Sequence, residues 1–261
     1  MTPYYRAGGI TLYHGRAEEI LPQLPAKSFD LIFTSPPYNA MNTAGHGFFS
    51  MSDRHKWTRP ALANGYDTHP DKMPHEDYVR WQRLVLLECW RTLSDDGAIF
   101  YNHKPRAQAM GLVLPLELIP ASLPLRQIVT WVRAGGMNYN LRHYAPMYEW
   151  ILILAKPAWK LRDQPASGAG DVWSVTQERD NPHPAPFPIE LPLTALETTG
   201  AKRVCDPHVG SGTTMLAARK LGCEGVGVDV SAKYLDWTIR RLEGLPAVDP
   251  PGAKIARLPG L

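Results

Sequence analysis

The segment Val204-Cys205-Asp206-Pro207-His208-Val209-Gly210-Ser211-Gly212-Thr213-Thr214 joins a short apolar run to a stretch with helical spacing. Glycines at such a junction let the backbone turn sharply and let a ligand approach without a Cβ in the way. On the C-terminal side, residues 213–221 predict a helix closed by Gly222, because glycine accepts the left-handed conformation past a helix end. Residues 224–230 predict a strand and residues 234–242 a final helix. Upstream, residues 10–13 predict a strand, 17–24 a helix stopped by Pro25, and Phe29–Thr34 a buried strand that runs into Ser35-Pro36-Pro37-Tyr38. Tyr78, Trp81, Leu84, Val85, Glu88 and Cys89 fall at helical spacing within residues 75–93. Asp95-Asp96-Gly97 predicts a turn into a strand at 98–102, with further strands at 125–132 and 149–156 and a Pro-rich, irregular segment at 157–192. Strands separated by helices predict an α/β protein with a mostly parallel sheet and helices on both faces. One domain over residues 1–244 holds the pattern, and residues 245–261 form a Pro-rich tail.

Composition narrows the class. Of 261 residues, 44% are hydrophobic and 20% charged, enough apolar material for a core and too much for a disordered chain. Three cysteines (Cys89, Cys205, Cys223) form no CxxC pair, which argues against a disulfide scaffold or a zinc finger and suits a reducing compartment. No apolar run approaches the roughly 20 residues of a membrane span, and the start Met-Thr-Pro-Tyr-Tyr-Arg lacks a signal-peptide core. A soluble cytoplasmic protein with no membrane partner is the expectation. The net charge of +3 is mild, but six Lys or Arg and one acid, Glu149, lie between Arg126 and Arg162. A second cluster, Arg54-His55-Lys56-Trp57-Thr58-Arg59, interleaves cations with an aromatic. That mixture suits phosphate contact and base stacking, with Arg54, Lys56, Arg59, Arg133 and Arg142 as candidates. A solvated basic face fits the composition as well.

The glycine loop predicts a nucleoside-containing ligand. Asp229 ends the next strand 23 residues after Asp206, where an acid in a doubly wound sheet meets a ribose hydroxyl pair. Met215 stands at the third glycine position of a dinucleotide fingerprint, and no Lys follows Gly212 as a phosphate-binding loop requires. An adenosine ligand without phosphate fits better. S-adenosylmethionine is one, its charged amino-acid end met by Asp206 and the loop backbone. No metal is called for, since no His/Cys cluster has zinc spacing.

The Ser35-Pro36-Pro37-Tyr38 turn follows a strand, at the end of the sheet where such folds bind ligands. Two prolines fix φ and remove two backbone donors, so the turn carries more acceptors than donors. A Ser oxygen and a backbone carbonyl beside an aromatic ring suit a planar base bearing an amine. The lone pair of that amine is delocalised into the ring. Acceptors placed for a pyramidal nitrogen favour the transition state over the planar ground state. A plain double-proline turn is the alternative for this motif alone.

Together, Thr34-Ser35-Pro36-Pro37-Tyr38-Asn39 and Asp206-Pro207-His208-Val209-Gly210-Ser211-Gly212-Thr213-Thr214 resemble the amino-methylating DNA methyltransferases. The resemblance runs over residues 9–243 and includes Trp131, the stretch 143–156, His183-Pro184-Ala185-Pro186-Phe187-Pro188 and Gly225-Val226-Gly227-Val228-Asp229. It implies a Rossmann-like fold in the permuted, β-type motif order. By resemblance, Asp206, Pro207, Gly210, Ser211, Gly212, Thr213, Thr214 and Asp229 fall to S-adenosylmethionine, with His183 and Phe187 closing its pocket. Ser35, Pro36, Pro37 and Tyr38 fall to the target base. The chain departs from the family at His208 (usually Phe), at Asp229 (more often Glu) and at Arg16, where an acid usually follows Gly15; Glu18 or a backbone group is the substitute there.

The implied activity is methylation of cytosine N4 in double-stranded DNA, by base flipping and direct in-line transfer. Ser before Pro-Pro-Tyr is commoner in that branch, while adenine-N6 enzymes more often carry Asp or Asn. An adenine-N6 enzyme, a catalytically impaired DNA-binding homologue and an enzyme for amines of RNA or protein are the alternatives. Carbon-5 methylation would need a thiolate nucleophile, and no Pro-Cys pair occurs. The loop 39–75 and the segment 157–182 are the candidate DNA-recognition insertions. A homodimer and a cognate restriction endonuclease are partners that restriction-modification enzymes of this kind can have.

Overall fold

The computed structural model describes residues 1–39, 66, 68, 71–108, 111–133, 144–178, 181 and 183–245. The apolar run Phe29–Thr34 (β3) is buried on both sides because it lies mid-sheet, between Arg203–Asp206 (β10) and Leu93–His103 (β4). Beyond β10 come Glu224–Asp229 (β11), Ile10–His14 (β2) and Tyr5–Ala7 (β1). Beyond β4 come Tyr148–Ala155 (β8), Leu125–Val132 (β7) and Val172–Ser174 (β9), which completes a nine-stranded sheet among the described residues. The β2, β11, β10, β3 and β4 neighbours pair in parallel, as do β7 and β9. The β1–β2, β4–β8 and β7–β8 pairs are antiparallel. Arg106–Gln108 (β5) and Gly111–Val113 (β6) form a separate hairpin.

Successive strand residues point to opposite faces, and each face has its own core. Leu31 and Phe33 of β3 join helices Glu190–Thr199 (α4), Thr213–Lys220 (α5) and Ala232–Leu242 (α6) through Leu191, Met215 and Leu235. Ile32 faces the other way, onto Ala17–Ile20 (α1) and His75–Thr92 (α2), through Ile20, Tyr78 and Leu86. The expected mostly parallel sheet with helices on both faces is the observed one. No helix among the described residues is long and apolar enough to cross a membrane.

Three sequence expectations are corrected. Strand β4 begins at Leu93, directly after α2, and not after Asp95-Asp96-Gly97. Leu93 is fully buried and pairs with Phe29, and the chain absorbs the polar triplet as a register shift before Ala98 meets Leu31. The segment 157–192 is not irregular throughout: it holds Gln164–Ser167 (α3), β9 and the start of α4. Pro192 is the third residue of α4, where a backbone N–H would have no helical partner anyway. The helix predicted at 17–24 is α1 followed by a 3₁₀ turn, Leu21–Gln23, where Pro22 enters.

The consequence for function lies in one pairing. Val204 and Cys205 of β10 stand in parallel register with Leu31 and Ile32 of β3. The two strands therefore deliver the glycine loop and the Ser-Pro-Pro-Tyr turn side by side at one end of the sheet, as ligand-binding α/β sheets do.

Candidate active site

The glycine loop is fixed by hydrogen bonds that its two acids accept. Asp206, fully buried, accepts from Thr214 Oγ1 at 2.7 Å and from the His208 N–H at 3.1 Å, so it ties the start of α5 to the end of β10. Asp229 accepts from the Gly210 N–H and from the Ser231 N–H, both at 2.9 Å. Gly210 (φ 52°) and Gly212 (φ 83°) lie in the left-handed region, which a side chain makes costly. A Cβ at Gly210 would sit 3.0 Å from the His183 ring, and one at Gly212 would sit 2.8 Å from Thr238 Oγ1 and closer still to its Cγ2. Thr238 Oγ1 donates to the Gly210 carbonyl at 2.9 Å, and Arg241 bonds the Ser211 carbonyl and hydroxyl.

In front of this loop lies a cleft that opens partly to solvent. Gly210, Pro207, His208 and Asp229 line one side, with Tyr234 and His183 nearby. Gly15, Arg16, Glu18, Trp81, Ser35 and Pro37 complete the lining, and the Gly15 N–H donates to the Asp229 carbonyl at 2.9 Å. Glu18 accepts from Arg16 Nε at 2.7 Å and from Trp81 Nε1 at 3.1 Å. The Tyr234 ring meets His183 edge-on at 4.8 Å, and the Trp81 ring meets His208 at 5.6 Å. Burial pushes the His183 imidazole down to about 4, so it is neutral at physiological pH. A glycine bed that a Cβ would fill, an acid at its edge and aromatic walls fit an adenosine with a cationic tail.

The Ser-Pro-Pro-Tyr turn has a polar network behind it. Ser35 Oγ and the Tyr38 hydroxyl are 2.7 Å apart, and Tyr38 donates to Glu149 Oε2 at 2.9 Å. Asn102 Nδ2, from the end of β4, lies 2.7 Å from Tyr38 Oη, 3.0 Å from Glu149 Oε2 and 3.3 Å from Ser35 Oγ. Arg133 pairs with the other Glu149 oxygen at 3.1 Å. The Tyr38 ring packs on His103 at 4.3 Å, and the Lys104 ammonium lies 5.6 Å from its centre. The Tyr78 hydroxyl is 2.7 Å from the Pro37 carbonyl. Burial, helped by the Glu149 carboxylate, pushes the Tyr38 phenol well above its usual range, so it stays protonated.

The structure gathers the predicted residues into two ranks. Ser35, Pro37, Pro207, Gly210, Asp229 and His183 face the cavity. Asp206, Ser211, Gly212, Thr213 and Thr214 stand behind it and hold the loop, and Phe187 packs on Phe33 at 5.4 Å in the core. Pro36 and Tyr38 are buried in the turn itself. Arg133, expected on DNA, is instead turned to Glu149 and only 15% exposed. Arg54, Lys56, Arg59 and Arg142 lie outside the described residues. Within the loop 39–75, Tyr66 and Thr68 line the cavity. Asn39 pins the flanks of that loop, with its N–H on Asp71 Oδ1 at 2.6 Å and its side chain on the Met73 backbone. The segment 157–182 carries Trp173 into the core and pairs with β7, so part of it is framework. Sequence reasoning missed Glu149, Asn102 and His103, which the sheet brings to the turn, and Tyr78, which α2 supplies.

Comparison with known proteins places this geometry in a family. The family model described as DNA methylase, covering N6- and N4-type methyltransferases, matches residues 29–240. The chain belongs to this family of DNA amino-methyltransferases, whose methyl donor is S-adenosylmethionine. It is 26% identical over 275 residues to the Type II methyltransferase M.BglII of Bacillus subtilis, covering 90% of this chain and 69% of that one. Among solved structures it is similar to PvuII DNA methyltransferase (cytosine-N4-specific), with a TM-score of 0.71, 17% identity and coverage of 96% and 90% of the two chains. It is also similar to a protein described as a DNA modification methylase of Thermus thermophilus, complexed with S-adenosyl-L-methionine. That likeness has a TM-score of 0.64 at 21% identity, over 93% of this chain and 95% of that one.

Proposed function

We propose that the protein methylates the exocyclic N4 amine of cytosine in double-stranded DNA, on a base flipped out of the helix. The observation that carries this reading is Ser35 on the wall of the cavity that Gly210 and Asp229 also line. A hydroxyl, rather than an acid or amide, heads the Pro-Pro-Tyr turn, and the structural relative with a TM-score of 0.71 is described as cytosine-N4-specific. The family also includes adenine-N6 enzymes, and an N6-methyladenine product is the competing outcome. Comparing nucleosides by mass spectrometry in DNA from expressing and non-expressing cells decides between them.

When bound, S-adenosylmethionine supplies an electrophilic methyl group on a sulfonium. The chain's own residues position the partners. Asp229 accepts the ribose hydroxyls through lone pairs left over from its two backbone bonds, and His183, Tyr234 and Trp81 wall the adenosine. Glu18 stands on the wall beside Arg16 and takes the place of the acid that the family usually carries there. Ser35 and the Pro36 carbonyl accept from the target amine and favour its pyramidal form. The amine edge of a paired base is unreachable inside a duplex, which is why the base must be flipped. The 39–75 loop and the 157–182 segment are proposed as the DNA-facing parts, with Arg54, Lys56, Arg59 and Arg142 as phosphate contacts. A homodimer and a cognate endonuclease belong to the same proposal, as does a cytoplasmic site of action.

Two expected results test the cofactor assignments. Asp229→Ala removes a charge-assisted acceptor and is expected to weaken S-adenosylmethionine binding by about 1.5–3 kcal/mol; an unchanged Kd by calorimetry would sink the assignment. The second concerns pH. Burial pushes the Asp206 and Asp229 carboxyls up to about 6, against the hydrogen bonds they accept. Both hold protons more tightly in the fold than in the unfolded chain. They therefore stabilise the cofactor-free protein in acid, and that contribution is lost as pH rises through about 6. A cationic ligand favours the carboxylates, so its affinity has the opposite dependence. It is expected to hold near neutrality and to fall by up to about tenfold per pH unit for each acid below their midpoint. Equal Kd values in acid and at neutrality would show that neither carboxylate feels the ligand.

A further inference from the structure

The hydroxyl that meets the target amine must present a lone pair, not a proton, and the turn alone does not decide which. Ser35 Oγ and Tyr38 Oη are 2.7 Å apart, and either can donate to the other. The decision comes from the far end of the network. Glu149 is 5% exposed, and its two oxygens face Arg133 at 3.1 Å and Tyr38 with Asn102 at 2.9 and 3.0 Å. A carboxylate held this way only accepts. Its oxygen also fixes the Asn102 amide, whose nitrogen must face it, and Asn102 is itself 1% exposed.

The rest follows by counting protons. Tyr38 has one, and it goes to Glu149. The Tyr38 oxygen is then left to accept, from Asn102 Nδ2 at 2.7 Å and from Ser35 Oγ at 2.7 Å. Ser35 gives its single proton to Tyr38 and keeps only lone pairs for the cavity. We infer that Glu149, clamped by Arg133 and Asn102, is a positioning residue that sets the hydrogen-bond polarity of the Ser-Pro-Pro-Tyr turn and makes Ser35 an acceptor toward an amine. Glu149 touches neither the cavity nor the reacting atoms; it acts through Tyr38. The same polarity makes the turn selective, since a group that can only accept finds no donor in Ser35.

The inference rests on the reading that Ser35 meets the target amine, and the test separates the two. Glu149→Gln keeps the shape but brings an amide that can donate to Tyr38. The Tyr38 proton is then free to turn to Ser35, and the Ser35 proton to turn into the cavity. Tyr38→Phe cuts the same link while keeping the ring. The measurements are the single-turnover methyl-transfer rate on duplex DNA at saturating cofactor and the cofactor Kd, for both single variants, the double variant and Ser35→Ala. Expected are losses of about tenfold or more in rate for each single variant, from the strength of a hydrogen bond to a charged group. Cofactor Kd should stay within about twofold, and the double variant should be no slower than the slower single, because both act through one hydroxyl. A Glu149→Gln rate equal to wild type, or losses that multiply in the double variant, would overturn the inference. If Glu149→Gln loses cofactor binding through misfolding, Tyr38→Phe carries the test, and its wild-type rate would overturn it. A wild-type rate for Ser35→Ala would instead overturn the functional reading, whatever Glu149 does.

Discussion

Ser35→Ala is expected to slow methyl transfer by about 100-fold or more, the usual effect of removing one preorganised hydrogen-bond partner from a transition state. Cofactor affinity should barely change. The serine hydroxyl is tied into the Tyr38–Asn102–Glu149 network and needs no reorganisation when the amine becomes pyramidal. An interaction realised only in the transition state lowers the rate constant without a matching loss of binding. Single-turnover kinetics beside cofactor calorimetry separate the two. A variant that loses cofactor affinity and keeps its saturated rate would mean that Ser35 is part of the cofactor pocket and not of the amine site.

Gly212→Val is expected to damage the protein more broadly. The residue sits at φ 83° at the start of α5, and a Cβ there would lie 2.8 Å from Thr238 Oγ1 and closer still to its Cγ2. Thr238 is fully buried and bonded to the Gly210 carbonyl at 2.9 Å, so it has no room to move aside. Backbone strain and overpacking together are expected to cost about 2–5 kcal/mol, read as a lowered Tm and lost cofactor binding. Gly222→Ala is the control. Its φ of 66° is similar, yet nothing lies within 4 Å of the added Cβ. Only the conformational cost of roughly 1–2 kcal/mol applies there. Equal effects at the two glycines would show that the crowding against Thr238 is not what fixes the loop.

The contrast between what the chain announces and what it hides has a physical basis. The two motifs are local: each is a strand end and the turn after it, so spacing and residue type place Ser35, Gly210 and Asp229 without a fold. Helices α2 and α5 and strands β3 and β7 were legible for the same reason, since their apolar spacing is strong. The network behind the turn is not local. Glu149 is 111 residues from Tyr38 in sequence, and only the β4–β8 pairing brings it near. Its one sequence signal was its isolation as the single acid in a basic stretch, placed at the head of a strongly apolar strand. Arg133, read from the same basic stretch as a phosphate contact, pairs with Glu149 in the fold. Helix α4 starts inside the Pro-rich stretch read as irregular, and it carries Pro192 in its first turn, where proline is tolerated although it breaks helix interiors.

The most direct test of the account is to incubate the purified protein with duplex DNA and S-adenosylmethionine carrying an isotopically labelled methyl group, then digest the DNA and identify the labelled nucleoside by mass spectrometry. The expected result is labelled N4-methylcytosine, absent when Ser35→Ala replaces the wild type over a single-turnover time course. Label on adenine N6 would contradict the base assignment, and label absent from DNA altogether would contradict the assignment of Ser35 and the glycine loop to one methyl-transfer site.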